Sequence, residues 1–134
     1  MNTEISTWGG YAVHGDVKEL DRIVESTGLI NLDKEDIIKV LSSDGEIFVT
    51  YGSNANLSEA FKEAFDRLPC KSLQINKLLI EFRYGIRQPD MAQISSISAT
   101  LSEANADIAV MWGMISDESL GESNKVVLVA SVKL

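Results

Sequence analysis

A chain of 134 residues is one domain's worth of sequence, and 45% hydrophobic residues spread along its length make it globular rather than disordered. A net charge of −8 and a pI near 4.6 argue against nucleic acid as a partner, because no cluster of Lys and Arg could neutralise a run of phosphates. One cysteine, Cys70, excludes an intrachain disulfide and a multi-cysteine zinc site, and the one histidine, His14, lacks a partner at metal-ligand spacing.

The opening "MNTEISTWGG" has no basic region followed by an apolar run, so it does not read as a signal peptide, and no apolar run approaches the length of a membrane span. These features predict a soluble, cytoplasmic, reduced protein without a direct membrane anchor. Residues 1–14 fit the periodic pattern least well. "ISTWGGYAV" reads as a short strand or an ordered arm with Trp8 and Tyr11 packed down.

A helix is predicted over 16–27, with Val17, Leu20, Ile23 and Val24 on one face and Gly28 as its stop. The next helix starts with Asp33 as N-cap and Asp36 in a box-like position, and Ile37, Ile38 and Leu41 form its apolar side. "GEIFVTYG" alternates as a strand. Residues 57–68 carry a helical stripe of Leu57, Phe61, Ala64, Phe65 and Leu68, capped by Asn56 and ended by Pro69. "INKLLIEFRYG" is a strand. Pro89 opens a helix with Met91, Ile94, Ile97 and Leu101 on its apolar side. "ADIAVMWGMIS" and "NKVVLVASVKL" close the chain as two strands, buried on both faces or nearly so, joined by the polar turn "DESLGES". The order predicts an α+β fold with a single sheet and helices packed on it.

Three strings in this order carry a resemblance. "GLINLDKEDI" matches a loop of pattern Asn, any, Asp, any, any, Asp. "GEIFVTYGSNANLSEAFKEAF" reads as strand, glycine-containing turn and helix. "ANADIAVMWGMISDESLGESNKVVLVAS" reads as a closing hairpin with an Asp-Glu-x-Leu turn. Together they resemble the C-terminal half of FtsZ, the bacterial tubulin homologue of cell division, over roughly four-fifths of the chain. The resemblance implies a four-stranded mixed sheet with helices on one side, residues 1–14 being a separate N-terminal arm and 15–134 the FtsZ-like domain. It also implies that the 28–37 loop inserts into the nucleotide pocket of a neighbouring subunit. In that family the two loop aspartates polarise the water that attacks the GTP γ-phosphate, with the asparagine beside them. The matching positions here are Asn31, Asp33 and Asp36.

Departures from the family pattern narrow the expected role. "WGGYAVHG" has glycines but neither the length nor the strand–loop–helix setting of a phosphate cradle, so no cofactor is expected and the chain is not an enzyme by itself. The family's tail peptide is not expected after the final strand. Lys34 and Glu35 replace the usual hydrophobic pair, which predicts a less buried loop. The expected function is an interaction module that binds or caps division filaments through the loop, with an FtsZ-like protein or a second copy as partner. The alternatives are half of a two-chain GTPase, or a metabolite-binding or self-associating scaffold of the chorismate-mutase-like kind.

Other residues weigh towards structural roles. Two acids at a helix start cap free N–H groups as readily as they orient a water. Cys70 follows Pro69 as a structural thiol, His14 reads as a turn residue and Trp112 as core packing. Arg83 and Arg87 read as surface arginines answering local acids, with an anion clamp as the functional alternative. The family's domain-facing surface, left uncovered, predicts cover by the N-terminal arm or by self-association, that is, a homo-oligomer.

Overall fold

The computed structural model describes residues 5–25, 30–69 and 74–133. Gly28, expected to stop the first helix, and Cys70 lie outside these residues. In chain order the elements are β1 (Ile5–Trp8), β2 (Tyr11–His14), α1 (Lys18–Glu25), α2 (Lys34–Leu41), β3 (Glu46–Asn54) and α3 (Leu57–Asp66). They continue with β4 (Ile75–Tyr84), α4 (Met91–Ala104), β5 (Ala109–Ser116) and β6 (Asn124–Val132).

All six strands form one sheet in the order β1-β2-β3-β6-β4-β5, two more than the four expected. The extra pair is a hairpin. β1 and β2 pair antiparallel across Gly9 and Gly10, both at positive φ, and β2 then meets β3 in parallel at His14 and Phe48. His14 therefore ends a strand rather than sitting in a turn, with its ring stacked 4.5 Å from that of Phe48. The hairpin tucks Val13 fully into the core and lays Trp8 and Tyr11 half-buried over it. The Trp8 indole N–H donates to Asp21 of α1 at 2.9 Å.

β3, β4 and β5 run in one direction, with β6 antiparallel between β3 and β4. From Val126 to Val132 every side chain of β6 is fully buried, so this strand requires cover on both faces. Helices accordingly lie on both sides of the sheet, not on one. Leu57, Ala60 and Ala64 of α3 and Ile94, Ile97 and Leu101 of α4 pack on Phe48, Leu78, Ile80, Phe82, Val126 and Leu128. On the opposite face, Leu20 and Ile23 of α1 and Ile37, Val40 and Leu41 of α2 pack on Ile47, Val49, Leu79, Val127 and Val129. Gly52 allows α3 to lie directly on β3, because a Cβ there would collide with the Ala60 carbonyl oxygen and the backbone of Ala64.

Local sequence sets most boundaries. Asn56 caps α3 by accepting from the Glu59 amide at 3.2 Å. α4 begins two residues after Pro89, with Asp90 as its cap and Gln93 completing a capping box. Met91 and Val24, expected on apolar stripes, remain exposed, because each sits at a helix end beyond the reach of the sheet. No helix among the described residues is long and apolar enough to cross a membrane.

Removing residues 1–14 uncovers the site that Val13 fills and frees the Trp8–Asp21 tie. The truncated protein is expected to lose at least about 2 kcal/mol in urea denaturation, the value of one buried aliphatic side chain. An unchanged unfolding midpoint would show that the hairpin is only appended to the fold.

Candidate functional site

The candidate loop owes its position to the edge of the sheet. Ile30 forms an isolated antiparallel bridge with Met114 of β5, its N–H donating to the Met114 carbonyl at 3.2 Å and its carbonyl accepting from the Met114 N–H at 2.8 Å. Two residues on, Leu32 is buried against the α1/α2 side of the sheet. The space it enters exists because residue 113 is glycine. A Cβ there would come within 2.7 Å of Leu32 Cγ and 2.9 Å of the Ile30 carbonyl oxygen.

Between and after these anchors the polar residues face solvent. Asn31 and Asp33 are exposed, Asp36 is half-buried, and Lys34 and Glu35 are exposed as their character suggests. Asp33 is the N-cap of α2 in an extended conformation, φ −108° and ψ 178°. Its Oδ1 accepts from the Asp36 amide at 3.0 Å, while Asp36 Oδ2 accepts from the Asp33 amide at 2.9 Å. This reciprocal pair satisfies two helix-start donors and holds both carboxylates in place over one turn. Each uses one oxygen in this pair, and a carboxylate has further acceptor capacity for a group such as water. Among the described residues no three His, Cys, Asp or Glu side chains cluster closely enough to hold a metal ion.

Arg83 is not the surface arginine its setting suggested. Its side chain is 0% exposed, and it lies on the α1/α2 side of β4 two residues after Glu81. Arg83 Nε donates to Glu81 Oε1 at 2.5 Å, and Nη1 reaches both Glu19 carboxylate oxygens at 3.1 and 3.3 Å. Lys125 Nζ completes a two-acid, two-base cluster, 3.0 Å from Glu19 Oε2. Burial pushes the Glu81 carboxyl above its ordinary value, and the Arg83 charge only partly offsets this. The cluster ties the N-terminal turn of α1 to β4 and β6. Close by, Arg22 of α1 donates to Asp117 at 2.9 Å. Hydrogen bonds from Ser119 hold the Asp117 carboxyl below its usual range. Both contacts fix the helix that leads into the loop. An anion clamp built on Arg83 is excluded, since its guanidinium is sealed against two carboxylates.

Arg87 is exposed and lines an open groove of about 470 Å³ at the ends of β3 and β4, together with Asn56, Asp90, Gln93, Glu122 and Asn124. Two carboxylates share this groove with one guanidinium, so its charge is mixed. Trp112 is half-buried and packs edge-on to Phe82 with centroids 6.0 Å apart, as a core-packing aromatic does.

Glu19, Glu81, Lys125 and Gly113 were not singled out by the sequence reading. A signal existed for one of them, Glu81. In "LLIEFRY" the charges at 81 and 83 fall on the same face of an otherwise apolar strand, which requires a buried counter-charge. Nothing local marked Glu19 or Lys125 as those partners.

No protein-family model matches the chain, and no curated protein matches its sequence. Solved structures do match its shape. An FtsZ dimer from M. jannaschii superposes with a TM-score of 0.71 at 24% identity, covering 86% of this chain and 35% of that one. CetZ from Methanosaeta thermophila gives 0.70 at 15% identity, over 88% and 35%. TubZ of Bacillus thuringiensis serovar israelensis, from GDP-form protofilaments, gives 0.62 at 19%, over 86% and 34%. The fold is that of the C-terminal domain of FtsZ-like proteins. The chain spans about a third of the length of the FtsZ, CetZ and TubZ chains it matches. At these identities the likeness is one of fold.

Two substitutions probe this arrangement. Gly113→Val drives a branched side chain into Leu32 and the Ile30 carbonyl. It should cost about 1–3 kcal/mol, the range for overpacking, and raise amide exchange at Ile30 and Met114. Arg83→Met leaves Glu19 and Glu81 buried without their shared guanidinium and should cost about 3–5 kcal/mol in urea unfolding. A loss under about 1 kcal/mol would show that Lys125 alone can neutralise the site.

Proposed function

We propose that this domain is an interaction module of FtsZ-type filaments. It docks through its 30–37 loop on the nucleotide-bearing surface of an FtsZ-like protomer and presents Asp33 and Asp36 to that protomer's nucleotide, with Asn31 alongside. One observation carries the reading. The loop is anchored by its apolar residues, Ile30 on β5 and Leu32 in the core, while its polar residues Asn31 and Asp33 stay at the surface. A loop whose acids served only the helix start would need neither an anchored approach nor an exposed asparagine. The resemblance to the FtsZ loop supplies the chemistry expected of it, the orientation of a water against a γ-phosphate by paired carboxylates. The nucleotide in this scheme belongs to the partner. The domain acts in trans and caps or tunes the filament it joins.

The capping box offers a clean test. Asp33→Asn keeps a side-chain oxygen able to cap α2 but removes the charge, so unfolding stability should stay within about 0.5 kcal/mol of the parent. With FtsZ from the same source, the parent domain should alter both filament assembly and GTP turnover. Asp33→Asn should reduce the turnover effect by about tenfold or more, on the scale of a lost general-base or water-orienting group. No binding by the parent domain and no change in either quantity would refute the role.

A further inference from the structure

Arg87 and Glu122 line the same open groove at the ends of β3 and β4 without pairing. Both are exposed, and among the described residues neither charge has an ion-pair partner. Arg22 and Arg83, by contrast, each find a carboxylate. The turns that carry Arg87 and Glu122 are nevertheless docked on one another. The Ile86 amide donates to the Gly121 carbonyl at 2.7 Å, and a Cβ on Gly85 would lie 2.0 Å from that same oxygen. The Asp117 amide donates to the Tyr84 carbonyl at 2.7 Å. Backbone contact therefore fixes where each side chain begins, and opposite charges in one groove stay apart instead of joining.

The amides that line the groove have fixed orientations, because each commits one end to the backbone. Asn56 Oδ1 accepts from the Glu59 amide at 3.2 Å and Gln93 Oε1 from the Asp90 amide at 3.3 Å, so both keep an NH2 group free. Asn124 does the reverse. Its Nδ2 donates to the Ala55 carbonyl at 3.0 Å, which leaves its side-chain oxygen free. Donors therefore come from Arg87 and the starts of α3 and α4, and acceptors from Glu122 and the entry to β6. Asp90 departs from this division, but one of its oxygens already accepts from the Ala92 amide at 3.0 Å. From this division we propose that the groove binds a small zwitterion, an amino acid or a dipeptide, with its carboxylate on Arg87 and its ammonium group on Glu122. The NH2 groups of Asn56 and Gln93 are further donors for the carboxylate end, and the Asn124 oxygen is a further acceptor for the ammonium end. A ligand of one charge leaves either Arg87 or Glu122 unanswered. A polyphosphate brings more negative charge than one guanidinium can meet beside two carboxylates. The volume of about 470 Å³ lies in the range of small-molecule sites. No residue of the 30–37 loop lines this groove, so the site goes beyond the role proposed for that loop.

The test is binding to the full chain, followed by calorimetry and by NMR shifts of the Asn56, Gln93 and Asn124 side-chain amides. The probes are the free amino acids with uncharged side chains, taken singly, and alanyl-alanine. At least one should bind in the millimolar range and shift those three amides, and the tighter class identifies the natural ligand as amino acid or dipeptide. Two controls come from the tightest binder: its N-acetyl form, which keeps only the anion, and its amide, which keeps only the cation. Each should bind about tenfold more weakly or worse. Arg87→Gln should bind the zwitterion no better than its amide, and Glu122→Gln no better than its N-acetyl form. Both residues are exposed, so both variants should keep the melting temperature of the parent. The proposal is overturned if no zwitterion binds, if either control binds as tightly, or if both substitutions leave the affinity unchanged. No FtsZ-like protein enters these measurements, so their failure is distinct from failure of the filament role.

Discussion

Burial of β6 on both faces is the constraint from which the remaining architecture follows. Lying between β3 and β4, the strand has no side exposed to water from Val126 to Val132. It therefore requires a layer of helices above and another below. α3 and α4 supply one layer by following β3 and β4 directly in the chain. The other layer has to be assembled from the helices that precede β3, and the hairpin at the start of the chain extends it. Trp8, Tyr11 and Val13 all join that second core.

The two layers are built on different principles. The α3/α4 side is an apolar interface throughout, with aromatic contacts between Phe61 and Phe65 and between Phe82 and Trp112. The α1/α2 side combines an apolar region with a buried ion cluster at one end, where Glu19, Glu81, Arg83 and Lys125 balance two charges against two. Such a cluster contributes little net stability compared with apolar packing, and burial works against the Glu81 charge in particular. Its consequence is positional. A guanidinium with one geometry toward two carboxylates admits one placement of α1, and α1 leads to the candidate loop.

The same end of the sheet gathers the remaining surface features. β3, β4 and β5 all finish there, so the loop at Met114, the Asp117 turn and the groove beside Arg87 share one side of the molecule. Partner chemistry on that side would meet exposed acids of the loop and a groove of mixed charge.

Much of this was legible from residue order alone. Helical stripes at 57–68 and 91–101, the Asn56 and Asp33 caps, and the apolar runs of the last two strands are local patterns. They express local physics: 3.6-residue periodicity, side-chain oxygens answering free amides, and alternating burial. The box formed by Asp33 and Asp36 was readable for the same reason, as was the likeness of "GLINLDKEDI" to a filament loop. Tertiary structure decided what depends on distant partners. Whether "ISTWGGYAV" becomes two strands depends on the free edge of β3, and whether Arg83 faces water depends on Glu19, 64 residues away. Gly113 acquires meaning only when Leu32 arrives beside it. Sequence by itself determined the elements, their caps and the acids of the loop, because these rest on neighbours along the chain. The number of strands, the second helical layer and the anchoring of the loop on β5 were decided by contacts that exist only once the chain has closed on itself.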